Sequence, residues 1–173
     1  MYTSKLRDFD LEKFKTIHSY FLPKRNNDFN KTQFIYPNDK NNINRKTFVE
    51  PIVKKAIEIL NNQNINNYDK NYYYIEFHQR NCGIENKVYK PWLTWHEDDY
   101  GAVPYKVYSI LFYLRKDITI KGGNLLYKIN NIQHTYIVEQ GNILSFKGDF
   151  IHNPEKCSGF GCRDLIVVFV KRN

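Results

Sequence analysis

Apolar residues recur with two different spacings along this chain, and the change divides it. Over residues 5–21, Leu6, Phe9, Phe14, Ile17 and Phe21 return at roughly helical intervals, which predicts an amphipathic helix stopped by Pro23. Residues 24–31 read as a polar linker, 32–36 as a short strand ended by Pro37, and 38–45 as a loop with turn chemistry. A second helix follows. Thr47 with Glu50 three residues on makes a capping box, and Phe48, Ile52, Val53, Ala56, Ile57 and Leu60 form its apolar stripe.

Past the Asn-rich stretch 61–71 the pattern turns to strands. Residues 72–79 carry the aromatic and β-branched content of one. Further candidates are 92–97, 107–114, 118–121, 125–129, 134–138, 142–146, 150–152 and 164–170, several of them separated by glycine turns. Two helices followed by many short strands argue for an α+β fold in which an all-β barrel or sandwich carries the chemistry. At 173 residues a single domain, 1–173, is the simplest organisation, with 1–70 as helical support and 71–173 as the core.

Composition adds bounds. With 42% hydrophobic and 25% charged residues the chain is globular in character, not disordered. It shows no signal-peptide pattern and no apolar run of spanning length, so the expectation is an intracellular, soluble, cytoplasmic protein without a membrane partner. Cys82, Cys157 and Cys162 have no CxxC spacing and are expected as free thiols. The net charge of +8 suits an acidic partner or nucleic acid, although the abundance of Asn, Lys, Ile and Tyr that an AT-rich gene would write accounts for much of it.

The chemistry concentrates between Trp95 and Arg163. In Trp95-His96-Glu97-Asp98, a strand would send His96 and Asp98 out of one face. With His152 from a later apolar run they would make two imidazoles and one carboxylate, the facial triad of non-haem Fe(II) oxygenases. Arg163 could return beside them on the next antiparallel strand and hold an anionic co-substrate. A lone His-x-Asp pair is usually structural. What gives this one weight is the order of parts that follows it: an apolar strand, a Gly-Gly hairpin, a Gly-led strand, a second His and an Arg opening the last strand.

Those parts are His96-Glu97-Asp98, Leu111-Phe112-Tyr113-Leu114, Gly122-Gly123-Asn124-Leu125, Gly141-Asn142-Ile143-Leu144-Ser145-Phe146, His152 and Arg163. In that order, residues 72–173 resemble the double-stranded β-helix (jelly-roll, cupin-like) of the Fe(II)- and 2-oxoglutarate-dependent dioxygenases, and most closely their prolyl-hydroxylase-like branch. The resemblance implies such a core with two N-terminal supporting helices. It matches His96, Asp98 and His152 to iron ligands, Arg163 to the partner of the far carboxylate of 2-oxoglutarate, and Tyr113 to a donor to that carboxylate. It implies no catalytic residue beyond the metal and co-substrate ligands.

The implied reaction uses O2 to hydroxylate a side chain, prolyl by analogy, in a protein or peptide. 2-Oxoglutarate is meanwhile decarboxylated oxidatively to succinate and CO2, with ascorbate as an accessory reductant. Trp95, Tyr74, His78, Arg80 and Tyr100 are the substrate-binding candidates, and Trp95, Phe146 and Phe169 would keep water out. Lys121 is a rival anchor, read as a surface charge; His18 and His134 are read as structural. Arg163 stands where collagen-type prolyl hydroxylases use lysine, and the arginine-rich ending of DNA-repair dealkylases is not reproduced. Two other readings stay open: the same chemistry on nucleic-acid bases, supported by Tyr89, Trp92, Tyr100 and Tyr105 among lysines, and a non-catalytic barrel that only binds. Neither the substrate nor the oligomeric state is legible.

Overall fold

The computed structural model describes residues 1–22, 29–36, 43–82, 94–99 and 105–173, with the backbone alone for 29–36 and 43–45. Along the chain run β1 (Tyr2–Lys5), α1 (Asp8–Phe21), β2 (Phe29–Tyr36), α2 (Ile43–Asn62), β3 (Tyr68–Cys82), β4 (Val107–Lys116), β5 (Ile120–Gly122) and β6 (Leu125–Ile129). Then come β7 (Ile132–Tyr136), β8 (Asn142–Lys147), β9 (His152–Pro154), β10 (Cys157–Gly159) and β11 (Gly161–Arg172). They build a six-stranded sheet in the order β1-β8-β4-β11-β3-β2, a three-stranded sheet β7-β6-β9 and a ribbon β10-β5. All pairings are antiparallel.

The large sheet is covered on both faces, which is why β4 and β11 read as nearly unbroken apolar runs instead of alternating. Period two still sorts the side chains. Tyr73, Ile75, Phe77, Ile110, Phe112, Ile166 and Val168 face the helices and pack with Phe14, Ile17, Phe21, Ile52, Ala56 and Leu60. Phe14 meets Phe112 edge-on at 5.2 Å, and Phe21 stacks on Phe77 at 4.6 Å. The opposite, inner face carries Tyr74, Leu111, Tyr113, Leu144, Phe146, Leu165, Val167 and Phe169, joined by Leu125 and Val138 from the side of the smaller sheets.

Several elements depart from their sequence-based outline. The predicted first helix begins only at Asp8, because residues 2–5 pair with β8 as an edge strand. Phe9 is 78% exposed: the buried stripe of α1 runs Leu11, Phe14, Ile17, His18, Phe21, and a residue two before Leu11 points about 200° away. The second helix starts at Ile43, so Thr47 lies inside it and not at its N-cap. Its buried line is Val49, Ile52, Ala56, Ile59 and Leu60, and Phe48 instead stacks outside on Tyr20 at 4.8 Å. Phe29–Lys31, expected as linker, belong to β2, where pairing with β3 fixes them. Residues 94–99 hold no strand, only one isolated bridge, and 92–93 lie outside the described residues. Ile118 is fully exposed and β5 begins at Ile120; β7 and β9 are displaced by two residues from their expected starts, and β10 was not foreseen. No helix among the described residues is long and apolar enough to cross a membrane.

Candidate metal centre

Without a strand to carry it, the His96–Asp98 segment is fixed by tertiary ties. His96 and His152 exchange both backbone hydrogen bonds, at 2.9 and 3.0 Å, so the two imidazoles start from directly opposed positions. The Asp98 N–H donates to the Gly148 carbonyl at 2.7 Å, and the Gly148 N–H donates to Val107. Asp99 clamps the turn by accepting from the Val107 N–H at 2.8 Å and from Arg172 Nη1 at 3.3 Å. A Cβ on Gly148 would fall 2.1 Å from the Asp99 carboxylate, so the clamp requires glycine there.

The side chains then converge. His96 Nδ1 lies 2.7 Å from the Thr94 carbonyl and His152 Nδ1 lies 2.9 Å from the Phe150 carbonyl. A carbonyl only accepts, so each Nδ1 carries a proton, and in the neutral ring that leaves the Nε2 lone pair for a metal. Both Nε2 atoms stand 3.8 Å from the same oxygen, Asp98 Oδ1. The other oxygen, Oδ2, accepts from the wholly buried Ser109 hydroxyl at 2.6 Å. Burial pushes the His152 imidazole below its ordinary range, and neighbouring His96 adds to this against the pull of Asp98, which keeps the ring neutral. Three lone pairs facing one another without a donor between them repel. A cation at their meeting point removes that repulsion, and the mixed N/N/O set, with no thiolate, fits a divalent iron.

The far end of the same inner face is positive. Arg163 on β11 is 2% exposed and sits in register with Arg80 on β3 and Lys116 on β4. Its Nη1 donates to the Gly123 carbonyl, while its buried Nε has no partner among the described residues. Tyr113 is 1% exposed with its ring 5.7 Å from the Arg163 guanidinium. Burial pushes its phenol up to about 12, so it stays a donor. Lys116 is held below its usual range by burial and by Arg163. Such a cluster is costly unless an anion enters it. Phe169 of β11 pairs with Ser109, the residue touching Asp98, so the metal end and the positive end lie on one wall. Ser109 and Tyr113, four residues apart on β4, are separated by roughly 13 Å of strand.

The remaining predicted residues divide. Tyr74, His78 and Arg80 share the inner side of β3 with Glu76, whose buried carboxylate is bonded by Tyr74 and lies 2.7 Å from His78 Nε2. Trp95 is half-buried, with the Lys128 ammonium 4.4 Å over its ring. Phe146 packs 5.0 Å from His152, and Phe169 lies 5.8 Å from Tyr74. Tyr100, Tyr89 and Trp92 lie outside the described residues. Away from the site, Lys121 is exposed, His134 stacks on Tyr127, and buried His18 lies 2.8 Å from the His78 carbonyl. Reading by sequence overlooked Ser109, Gly148, Asp99 and Arg172. Of these only Ser109 carried a signal, as the one small hydroxyl inside the apolar run 107–114.

No protein-family model and no curated protein sequence matches the chain. Solved structures do. A 2OG-Fe(II) oxygenase family oxidoreductase from Burkholderia pseudomallei superposes with a TM-score of 0.65 at 10% identity, over 99% of this chain and 84% of that one. A Pseudomonas putida prolyl-4-hydroxylase gives 0.60 at 11% identity, covering 99% and 92%. The viral collagen prolyl hydroxylase of Paramecium Bursaria Chlorella virus-1, solved as a 2OG complex, gives 0.57 at 13% identity, covering 100% and 97%. At these identities the likeness is one of fold: two helices on a double-stranded β-helix, running nearly end to end.

Proposed function

We propose that this protein is an Fe(II)- and 2-oxoglutarate-dependent dioxygenase that hydroxylates a side chain, prolyl in our reading, in a protein or peptide. The observation that carries the proposal is the pairing of a three-lone-pair cluster (His96, Asp98, His152) with a buried, incompletely bonded guanidinium on the same wall. Bound iron, with O2, would supply the oxidation of a substrate C–H bond as 2-oxoglutarate is converted to succinate and CO2.

The chain's own residues do the rest. Ser109 ties down Asp98 Oδ2, so Oδ1 is the oxygen that would be offered to the metal. Arg163 offers its planar fork to the far carboxylate of the diacid, and the permanently protonated Tyr113 donates to it. Leu111, Phe146, Val167 and Phe169 form the apolar cluster on the same face and would keep water from the reacting groups. Tyr74, His78, Arg80 and Trp95 are the described candidates for contact with substrate. Support for a prolyl target comes from the prolyl hydroxylases among the fold's neighbours.

The decisive measurement is an anaerobic Fe(II) titration with 2-oxoglutarate. A weak visible absorption band should appear in the wild type and vanish in His96→Ala and Asp98→Ala. Its absence from the wild type would leave a barrel that merely binds. With substrate peptide, succinate release and the gain of one oxygen atom should disappear in the same variants. The Lys128–Trp95 pair beside His96 favours one further reading, a nucleic-acid base stacked there. Oligonucleotide binding that weakens steeply with salt, followed by oxygen transfer to the base, would select it.

A further inference from the structure

The inner side of β3 does not end its stripe at Arg80. Period two carries it on to Cys82, the last residue of the strand, which pairs with Gly161. Across from it, β10 begins with Cys157, which pairs with Gly122. The two thiols are hydrogen-bonded to each other. A Cβ on Gly123 would lie 2.7 Å from Cys157 Sγ and 3.5 Å from Arg163 Nη1, so the sulfur and the guanidinium abut the same glycine. The third cysteine is turned away: Cys162 alternates to the other face and its Sγ donates to Asn81 Oδ1 at 2.9 Å.

We infer that Cys82 and Cys157 are a redox-active pair that closes to a disulfide beside Arg163, with hydrogen peroxide as the oxidant. The thiolate, not the thiol, is the attacking form, and an electropositive, partly exposed setting makes a cysteine reactive. The hydrogen bond from Cys82, helped by Arg163, Arg80 and Lys116 against the effect of burial, brings the Cys157 thiol down to about 6. The same bond and burial push Cys82 up, so Cys157 attacks and Cys82 resolves. Cys157 sulfur forms a bond to one peroxide oxygen as the O–O bond breaks, giving a sulfenic acid and hydroxide. Cys82 sulfur then attacks that sulfenic sulfur, the S–O bond breaks, and water leaves with the Cys82 proton. Two electrons pass from the thiol pair to the peroxide.

Resting on the function proposed above, the disulfide also has a consequence. It removes the negative charge of Cys157 from beside Arg163, so the oxidised protein should hold a dianion more tightly than the reduced one.

The test uses the full chain, reduced, freed of reductant and treated with equimolar peroxide before alkylation and non-reducing peptide mapping. The expected result is a Cys82 peptide joined to a Cys157 peptide, lighter by two hydrogens and separated again by dithiothreitol, with Cys162 alkylated. Cys162→Ser should keep the link. Cys82→Ser should abolish it and leave a sulfenic acid on Cys157 that dimedone captures. A link through Cys162, or full alkylation of both Cys82 and Cys157 after peroxide, would overturn the pair. Equilibrium binding of 2-oxoglutarate to the Fe(II) form, reduced against oxidised, should differ at least threefold in favour of the oxidised. Equal or weaker binding by the oxidised form would overturn the coupling, and no binding to either form would count against the dioxygenase reading while the peptide map still stood.

Discussion

At the scale of single residues, the division of labour on Asp98 is the most consequential feature of the site. One oxygen faces both imidazole nitrogens and the other is held by Ser109. Removing the hydroxyl frees the carboxylate to rotate and leaves a buried acceptor short of a donor, at about 1–3 kcal/mol. Ser109→Ala should therefore weaken Fe(II) or surrogate Co(II) binding by about 10–100-fold, the range for partners of metal ligands, without altering the far-UV circular dichroism. Competition titration against a chelating dye measures this without turnover; unchanged affinity would mean that Ser109 only fills space. At the other end, Arg163→Lys keeps the charge and loses the fork along with the bond to Gly123. Binding of 2-oxoglutarate should weaken at least tenfold, about 1.4 kcal/mol, while metal affinity stays as it was.

Among the elements, the two helices show where local spacing suffices and where it misleads. Both were legible, yet each contains an apolar residue near the true stripe that belongs to neither core. Phe14 is 1% exposed and Phe9 78%. Phe14→Ala should cost about 3–5 kcal/mol in urea unfolding, and Phe9→Ser should stay within about 0.5 kcal/mol. The strands β3, β4, β8 and β11 were legible because burial on both faces writes them as apolar or aromatic runs. The segment around His96 was not, because what shapes it is a bridge to His152 and a clamp through Gly148, both far away in sequence. His96, Asp98, His152 and Arg163 were still identifiable, since side-chain chemistry and the order of motifs do not depend on the local backbone. Lacking both an unusual residue type and a local period, Asp99 and Arg172 gave no comparable sign. The Gly pair does not form the hairpin its sequence suggests, since β5 pairs with β10 and β6 with β7 and β9; Gly123, at φ +69° with Cys157 Sγ where a side chain would start, still explains why glycine stands there.

For the molecule as a whole, a histidine is buried against each face of the central sheet: His18 of α1 and His152 at the candidate metal centre. Burial lowers both from the ordinary histidine value, and Asp164 partly restores His18. A histidine with a depressed folded-state pKa binds a proton more readily when unfolded. Its contribution is therefore complete above about pH 6.5 and is lost as the pH falls toward the folded value. Asp164 has the opposite sign: burial raises its carboxyl, so protonating it at lower pH favours the fold. The metal-free protein should lose melting temperature between about pH 7 and 5. His18→Gln should flatten part of that fall, and Asp164→Asn should remove the compensating gain at its acidic end. On the proposed assignment, metal would add a second coupling on the inner face alone, because a ligated His152 could not be protonated. Fe(II) at a hundredfold excess over its dissociation constant should stabilise the fold by about 2.7 kcal/mol near neutrality, and EDTA should reverse it. That increment should shrink on acidification in the wild type and in His18→Gln alike, and be missing from His96→Ala at every pH. An increment that persisted in His96→Ala would place the metal elsewhere. Calorimetric scans of the three proteins with and without metal thus separate the acid sensitivity of the helix-covered face from that of the face carrying the candidate site.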